Sequence, residues 1–304
     1  MIKKCFLFEG QGAQFQGMGK DIYDSFAAAQ KVFEVGSNVT GVDLQRLCFE
    51  TEADELNQTK NSQLAIFTVS MSIYNVLKES GFVPDFFAGF SLGECSALCA
   101  AGVISLENGF EIVRNRGTLM QECAEAKRGA MYAVIGLEDN VVEDICKSTE
   151  GYVIAANYNC PSQLVIAGDE KSADSAAQAC LAKGAAKAVR LAVNGAFHTK
   201  HMDDASKAFK EFLQRFEFST PNGRLFSNAS GSEVVDFSDI PSYLSNHIIS
   251  PVRWKEEIAG ISNLNELTFF EIGCGKTLTG LNRKIDRGLQ TVNLSAVKSL
   301  SEVI

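Results

Sequence analysis

Apolar positions along this chain follow two rhythms, short continuous runs and longer stretches with helical spacing, which together predict an α/β fold. Ile2 to Phe8 becomes wholly apolar from Cys5 and predicts a buried first strand. It runs into Glu9-Gly10-Gln11-Gly12-Ala13-Gln14, a polar turn punctuated by glycine. Residues 17–80 read as helices with polar breaks, the last of them a long amphipathic pattern from Gln63 to Lys78. Phe86 to Phe90 is a second strand, and Ala97, Leu98, Ala100 and Ala101 predict a helix that Gly102 ends. Glu107 to Glu125 reads as a further helix with Phe110, Val113, Gly117 and Met120 on its apolar side.

At Lys127-Arg128-Gly129 the texture changes. Strand-like Ala130–Gly136, helical Asn140–Ser148, two strands (Tyr152–Ala156 and Gln163–Ala167) around Asn157-Tyr158-Asn159-Cys160-Pro161, helical Lys171–Lys183 and a strand over Ala186–Val193 follow in order. That β-α-β-β-α-β order is ferredoxin-like. Residues 127–193 therefore read as a small ferredoxin-like domain inserted into a larger α/β domain made of 1–126 and 194–304. The return crossing is Asn194-Gly195-Ala196-Phe197-His198-Thr199, followed by a helix from about Lys200 to Phe216. A short strand over Leu225–Asn228, a helix within Phe237–Asn246, a strand over Leu267–Ile272 and a helix carrying Leu278, Leu281 and Ile285 complete the pattern. The expected fold class is α/β: a hydrolase-like large domain with a central, mainly parallel sheet, plus the inserted small domain.

Length and composition add limits. A chain of 304 residues, 46% hydrophobic and 21% charged, has the makeup of a globular protein with a full core. A net charge of −9 argues against nucleic acid as partner, since no basic excess exists to neutralise phosphates. No apolar stretch reaches membrane-spanning length, and the N-terminal run is too short for a signal peptide. Nine cysteines without a Cys-x-x-Cys or zinc-type spacing predict no metal site and a reducing compartment, and the protein is expected to be cytoplasmic.

The chemistry converges on Gly89-Phe90-Ser91-Leu92-Gly93, a Gly-x-Ser-x-Gly between a strand and a helix. In that context the pattern is a nucleophile elbow, with two glycines clearing room around a strained serine at a helix N-terminus. A serine nucleophile needs a base, and histidine suits neutral pH. The chain offers three, His198, His201 and His247. His198 is favoured because it sits at an element end, where α/β folds carry site residues. Arg114 and Arg116 lie mid-helix, where an arginine taken alone is ordinarily solvated.

Several motifs then recur in a familiar order: Phe8-Glu9-Gly10-Gln11-Gly12-Ala13-Gln14, Gly89-Phe90-Ser91-Leu92-Gly93-Glu94, Arg116-Gly117, Gly195-Ala196-Phe197-His198, Pro251-Val252-Arg253-Trp254 and Glu271-Ile272-Gly273. Over essentially its whole length the chain resembles the malonyl-CoA:acyl-carrier-protein transacylases, stand-alone acyltransferases of type II fatty-acid synthesis. The resemblance implies that Ser91 attacks the malonyl thioester while His198 takes its proton. It implies an oxyanion hole of the Leu92 and Gln11 backbone N–H groups, and Arg116 as partner of the malonyl carboxylate. Phe197 matches the malonyl-type form of its motif. Malonyl-CoA and holo acyl carrier protein are the implied partners, no metal or organic cofactor is called for, and a monomer is expected.

Three positions depart from the family pattern. Phe90 stands where a histidine is usual, His247 where a glutamine is usual, and Cys274 where a proline is usual. The backbone carbonyl at the His247 position is implied to orient the catalytic imidazole, a role any side chain preserves. An acidic carrier protein would dock on a local basic patch, either Lys276, Arg283 and Arg287 or Lys183, Lys187 and Arg190. The alternatives to fatty-acid synthesis are a trans-acting acyltransferase of a polyketide synthase, a serine acyl hydrolase and a non-catalytic carrier-binding module.

Overall fold

The computed structural model describes residues 2–193, 195–264 and 266–304. Asn194, where the return crossing was expected to begin, lies outside the described residues. Among the described residues ten strands form two sheets: β1 (Lys3–Phe8), β2 (Phe86–Gly89), β3 (Gly129–Ile135), β4 (Val153–Cys160), β5 (Gln163–Asp169), β6 (Lys187–Arg190), β7 (Arg224–Ser227), β8 (Ser232–Glu233), β9 (Leu267–Ile272) and β10 (Thr291–Asn293).

The first sheet has the order β10-β9-β1-β2-β7-β8, parallel throughout except for β8. Strands β1 and β2 lie in its centre and are buried along most of their length, which explains their continuous apolar runs. Two long helices, Thr59–Glu79 and Leu106–Ala126, pack together on one face. They meet closely because Gly117 faces the backbone of Lys60, where a Cβ would sit 2.9 Å from its Cα.

The second sheet is antiparallel with the order β4-β5-β3-β6. Numbered within the unit this is 4-1-3-2 read from β6, the ferredoxin-like arrangement, and helices Asp139–Ser148 and Glu170–Ala182 cover it with a core of their own. All four strands come from residues 129–190, and we propose the span 127–193 as the inserted unit. The expected turn at Asn157–Cys160 is instead the end of β4, with register shifts after Ala155 and after Tyr158. Those irregularities let Asn157 pair with Val252, and the Tyr158 N–H donates to the Val252 carbonyl at 2.7 Å, tying this strand to the Pro251 loop. The expected strand to Val193 stops at Arg190. The helix expected from Lys200 is a short 3-10 turn followed by Asp203–Leu213. The helix near Phe237 begins only at Ile240, where Asp239 caps it and Pro241 fits its first turn.

Candidate active site

The C-terminal ends of β1 and β2 carry the two loops that matter. After β2 the chain turns through Ser91 into the Leu92–Ala100 helix, and Ser91 has φ 51 and ψ −105. A non-glycine residue held there stores strain of about 1–3 kcal/mol, tolerated only where surroundings over-determine it. The flanking glycines are required by packing: a Cβ on Gly89 would meet the Gly93 backbone at 2.1 Å, and one on Gly93 would meet the Phe8 carbonyl at 2.0 Å. The elbow therefore fits against β1 only with this pattern. Gly10 lies equally close on the other loop, where a Cβ would be 2.3 Å from the Phe90 carbonyl.

The Ser91 hydroxyl lies 2.7 Å from His198 Nε2. On the other side of the ring, Nδ1 faces the Ser250 carbonyl at 3.0 Å and the His247 carbonyl at 3.2 Å. Carbonyls only accept, so Nδ1 carries the proton and the Nε2 lone pair faces the serine. His198 also has a positive φ, 60°. Burial, then the Arg116 charge, pull its pKa down to about 4, against the two carbonyl bonds. The imidazole is thus a neutral acceptor at ordinary pH. The His247 carbonyl faces the ring where an orienting carbonyl was expected, but the Ser250 carbonyl, which no sequence signal marked, is the nearer. The His247 ring lies 5.6 Å from that of His198, and burial holds it well below the usual histidine range, so it stays neutral.

Arg116 is buried to 1% exposure. Its Nη2 lies 3.4 Å from Ser91 Oγ, and its Nη1 donates to Gln63 Oε1 at 2.7 Å. Among the described residues it forms no ion pair, and its Nε has no partner. Arg114, two residues away, is exposed. A buried guanidinium without a counter-ion is costly to leave unpaired, and its planar fork suits a carboxylate.

Ser91 and His198 open into a cavity of about 290 Å³ between the two sheets. Gln11, Leu92, Phe197 and Gln63 line it with Met131 and Asn159 of the second sheet. Leu92 is the first residue of its helix, so its N–H has no intrahelical acceptor. Gln11 comes from the turn after β1, which Gln14 braces by accepting the Gly12 N–H at 2.8 Å. Gln11, Ser91, Leu92, Phe197 and His198 line this cavity, with Arg116 against Ser91 and His247 against His198. Phe90 lines it too, with its ring 5.6 Å from that of Trp254, so an aromatic contact fills the usual histidine position. Cys274 Sγ reaches the Ala13 carbonyl at 3.2 Å, a local contact. His201 is elsewhere, stacked on Tyr152 and 2.8 Å from Asp169.

Comparison with known proteins follows the same lines. Residues 5–296 match the family model described as "Acyl transferase domain". The chain belongs to this acyl transferase family. Among relatives, the malonyl CoA-acyl carrier protein transacylase of Bacillus subtilis strain 168 is 39% identical, over 100% of this chain and 97% of its own. A crystal structure of MCAT from Streptococcus pneumoniae is 38% identical with a TM-score of 0.93, covering 99% of each chain. A malonyl-transacylase solved in complex with a type II PKS acyl-carrier protein is 34% identical with a TM-score of 0.95, covering 99% of this chain and 98% of that one. The acyltransferase fold expected from sequence, with its central parallel sheet and separate antiparallel sheet, is borne out by these likenesses.

Sequence reasoning missed the polar residues that support this acyltransferase site. Glu94 and Glu257 are fully buried, and Asn228 lies between them. Burial pushes the Glu94 carboxyl up to about 7, while the Tyr243 hydroxyl, the Asn228 N–H and the Arg116 charge restrain the rise. Asn228 had a signal, a polar side chain closing a strand at the ligand-binding edge of the sheet. Gln63, at the start of a long helix, had none.

Of the two basic clusters, Lys276, Arg283 and Arg287 are all exposed. They do not share a helical stripe as expected, because the helix runs only from Thr277 to Ile285. The buried face of that helix, Leu278 and Leu281, lines the cavity. Arg190 of the other cluster pairs with Glu170 and lies 3.9 Å from Asp174.

Proposed function

We propose that this acyltransferase moves the malonyl group of malonyl-CoA to the phosphopantetheine thiol of acyl carrier protein through a malonyl-Ser91 intermediate. The observation that carries the reading is Arg116, buried 3.4 Å from the nucleophile and, among the described residues, in no ion pair. In the first half-reaction Ser91 Oγ attacks the thioester carbonyl carbon and His198 Nε2 accepts the hydroxyl proton. The Leu92 and Gln11 N–H groups stabilise the oxyanion. The C–S bond then breaks, and the CoA sulfur leaves as a thiol with the proton from His198. In the second half the carrier thiol gives its proton to His198 and attacks malonyl-Ser91, and Ser91 recovers its hydrogen. Arg116 pairs bidentately with the malonyl carboxylate throughout, whereas an acetyl group would leave it unpaired, which is the basis of selection.

The relatives' names favour malonyl transfer to a carrier protein, and the solved complex with a type II PKS carrier favours polyketide assembly as the second reading. Docking on the Lys276–Arg287 patch, carried by the helix that lines the cavity and its flanks, fits an acidic carrier. We take the enzyme to act as a cytoplasmic monomer. Among the described residues no helix is long and apolar enough to cross a membrane, and nine free thiols suit a reducing compartment.

Intact-protein mass after brief exposure to malonyl-CoA or acetyl-CoA tests the reading in wild type, Ser91→Ala and Arg116→Ala. A malonyl adduct on wild type and none on Ser91→Ala is expected, with discharge by holo carrier protein faster than by water. Arg116→Ala should lose malonyl in favour of acetyl. An equal acetyl adduct on wild type refutes the role of Arg116, and faster loss to water makes the protein a hydrolase.

A further inference from the structure

The elbow is held from behind by one fully buried side chain that the acyl-transfer steps do not use. Asn228 follows β7, and β7 runs beside β2 with Phe86 opposite Arg224 and Phe87 opposite Leu225. Continuing that register brings Asn228 level with Phe90, at the point where the chain turns. Its Oδ1 accepts the Ser91 N–H at 2.6 Å and also faces His247 Nε2 at 3.3 Å. Its Nδ2 donates to the Gly89 carbonyl at 2.7 Å and to Glu257 Oε2 at 2.7 Å. Its own N–H donates to Glu94 Oε2 at 2.8 Å, in the first turn of the elbow helix. Its carbonyl accepts the Arg253 N–H at 2.9 Å. One residue thereby grips the strand end, the nucleophile and the helix start together. The amide cannot flip, because its nitrogen faces two acceptors and its oxygen faces a donor.

We propose that Asn228 is the positioning residue that fixes the strained backbone of Ser91, so that Oγ meets His198 and the Leu92 N–H points into the cavity. The inference rests on the acyl-transfer reading of Ser91. Positive φ at Ser91 takes its N–H out of any helical pattern, and Asn228 supplies the acceptor that the turn itself lacks. Because Ser91 donates to Asn228, it is not an oxyanion donor, which leaves that task to Leu92 and Gln11. None of these bonds involves Arg116 or Gln63, so binding of the malonyl carboxylate does not depend on Asn228. Loss of the grip should slow acylation and spare affinity. A shift of about 1 Å at a reacting atom costs on the order of 100-fold in rate.

The test compares wild type, Asn228→Ala, Asn228→Asp and Asn228→Asp with Glu257→Gln. The readouts are the single-turnover rate of malonyl-Ser91 formation, and malonyl-CoA affinity measured on each variant with Ser91→Ala added. The same proteins are treated with a fluorophosphonate, which labels an aligned serine whatever the acyl donor. Asn228→Ala is expected to acylate and label about 100-fold more slowly, with affinity within about threefold of wild type. Asn228→Asp keeps the acceptor for Ser91 but sets oxygen against Gly89 and Glu257. Adding Glu257→Gln supplies a donor to the new carboxylate and should recover about tenfold. Acylation of Asn228→Ala within about threefold of wild type, or rate and affinity falling together, overturns the inference. Should Asn228→Ala not fold, Asn228→Ser is judged by the same criteria. If wild type takes no malonyl group yet reacts with the fluorophosphonate, the substrate reading fails, and the labelling rates alone decide the role of Asn228.

Discussion

The pKa of His198 gives a sharp prediction. An imidazole at its ordinary value of 6.5 would be neutral in about one molecule in ten near pH 5.5, whereas one at about 4 is about 97% neutral there. As the base works only when neutral, acylation of Ser91 should hold nearly constant from pH 8 to near 5.5 and fall only as pH approaches 4. The profile of kcat/KM reports the free enzyme. Burial and the Arg116 charge both lower this pKa, so neutralising Arg116 should raise it. A bound malonyl carboxylate does so, and the acidic limb of kcat should therefore lie above that of kcat/KM. Arg116→Gln makes the same change covalently. Its limb is best followed with a neutral fluorophosphonate, whose reaction needs the base but no carboxylate partner. The assay is the rate of Ser91 modification by mass across pH, with circular dichroism at each point to confirm that the fold persists. A wild-type limb near 6.5, or an identical limb in Arg116→Gln, would refute the reasoning.

Two further predictions concern residues around the dyad. Gln11→Ala keeps the backbone N–H and should leave kcat within about threefold, whereas Gln11→Pro removes that donor and should lower kcat by about 10²–10³-fold in a steady-state assay. Burial raises the Glu94 pKa from 4.5 to about 7, so the folded state holds a proton that the unfolded chain gives up. The contribution of Glu94 to stability is therefore greatest below pH 4.5 and falls as pH rises toward 7, by about 3 kcal/mol in all. Glu94→Gln should be more stable than wild type above pH 7 and lose that advantage toward pH 4.5 in urea unfolding. A difference that does not vary with pH contradicts the assignment.

Much of the fold was legible because burial leaves a periodic trace. Strands β1, β2 and β9 sit in the middle of the sheet and read as apolar runs, while β8 and β10 are short edge strands with no comparable run. The end of β4 misled for a physical reason: Asn157, Asn159 and Pro161 look like a turn, yet the asparagines face the cavity from a strand that shifts register. Arg116 could have been separated from Arg114 without any family likeness. It lies three residues after Val113 and four before Met120, on the apolar stripe, whereas Arg114 falls on the opposite side.

The support of the site was harder to read, because the identity of a polar residue says little until its partner is known. The Glu94 carboxylate and the Asn228 N–H that it accepts are 134 residues apart, and the Ser91 N–H and Asn228 Oδ1 are 137 apart. Local periodicity has no reach over such spans. It predicts that a side chain is buried, not which buried group it meets. Glu94 illustrates the limit, since a carboxylate three residues into a helix is ordinarily an N-terminal charge partner in solvent. Here the same position turns inward, because β7 ends beside β2 and delivers Asn228 to it. The nucleophile could be found from a five-residue motif, but the residue that holds it is defined only by the order of strands in the sheet.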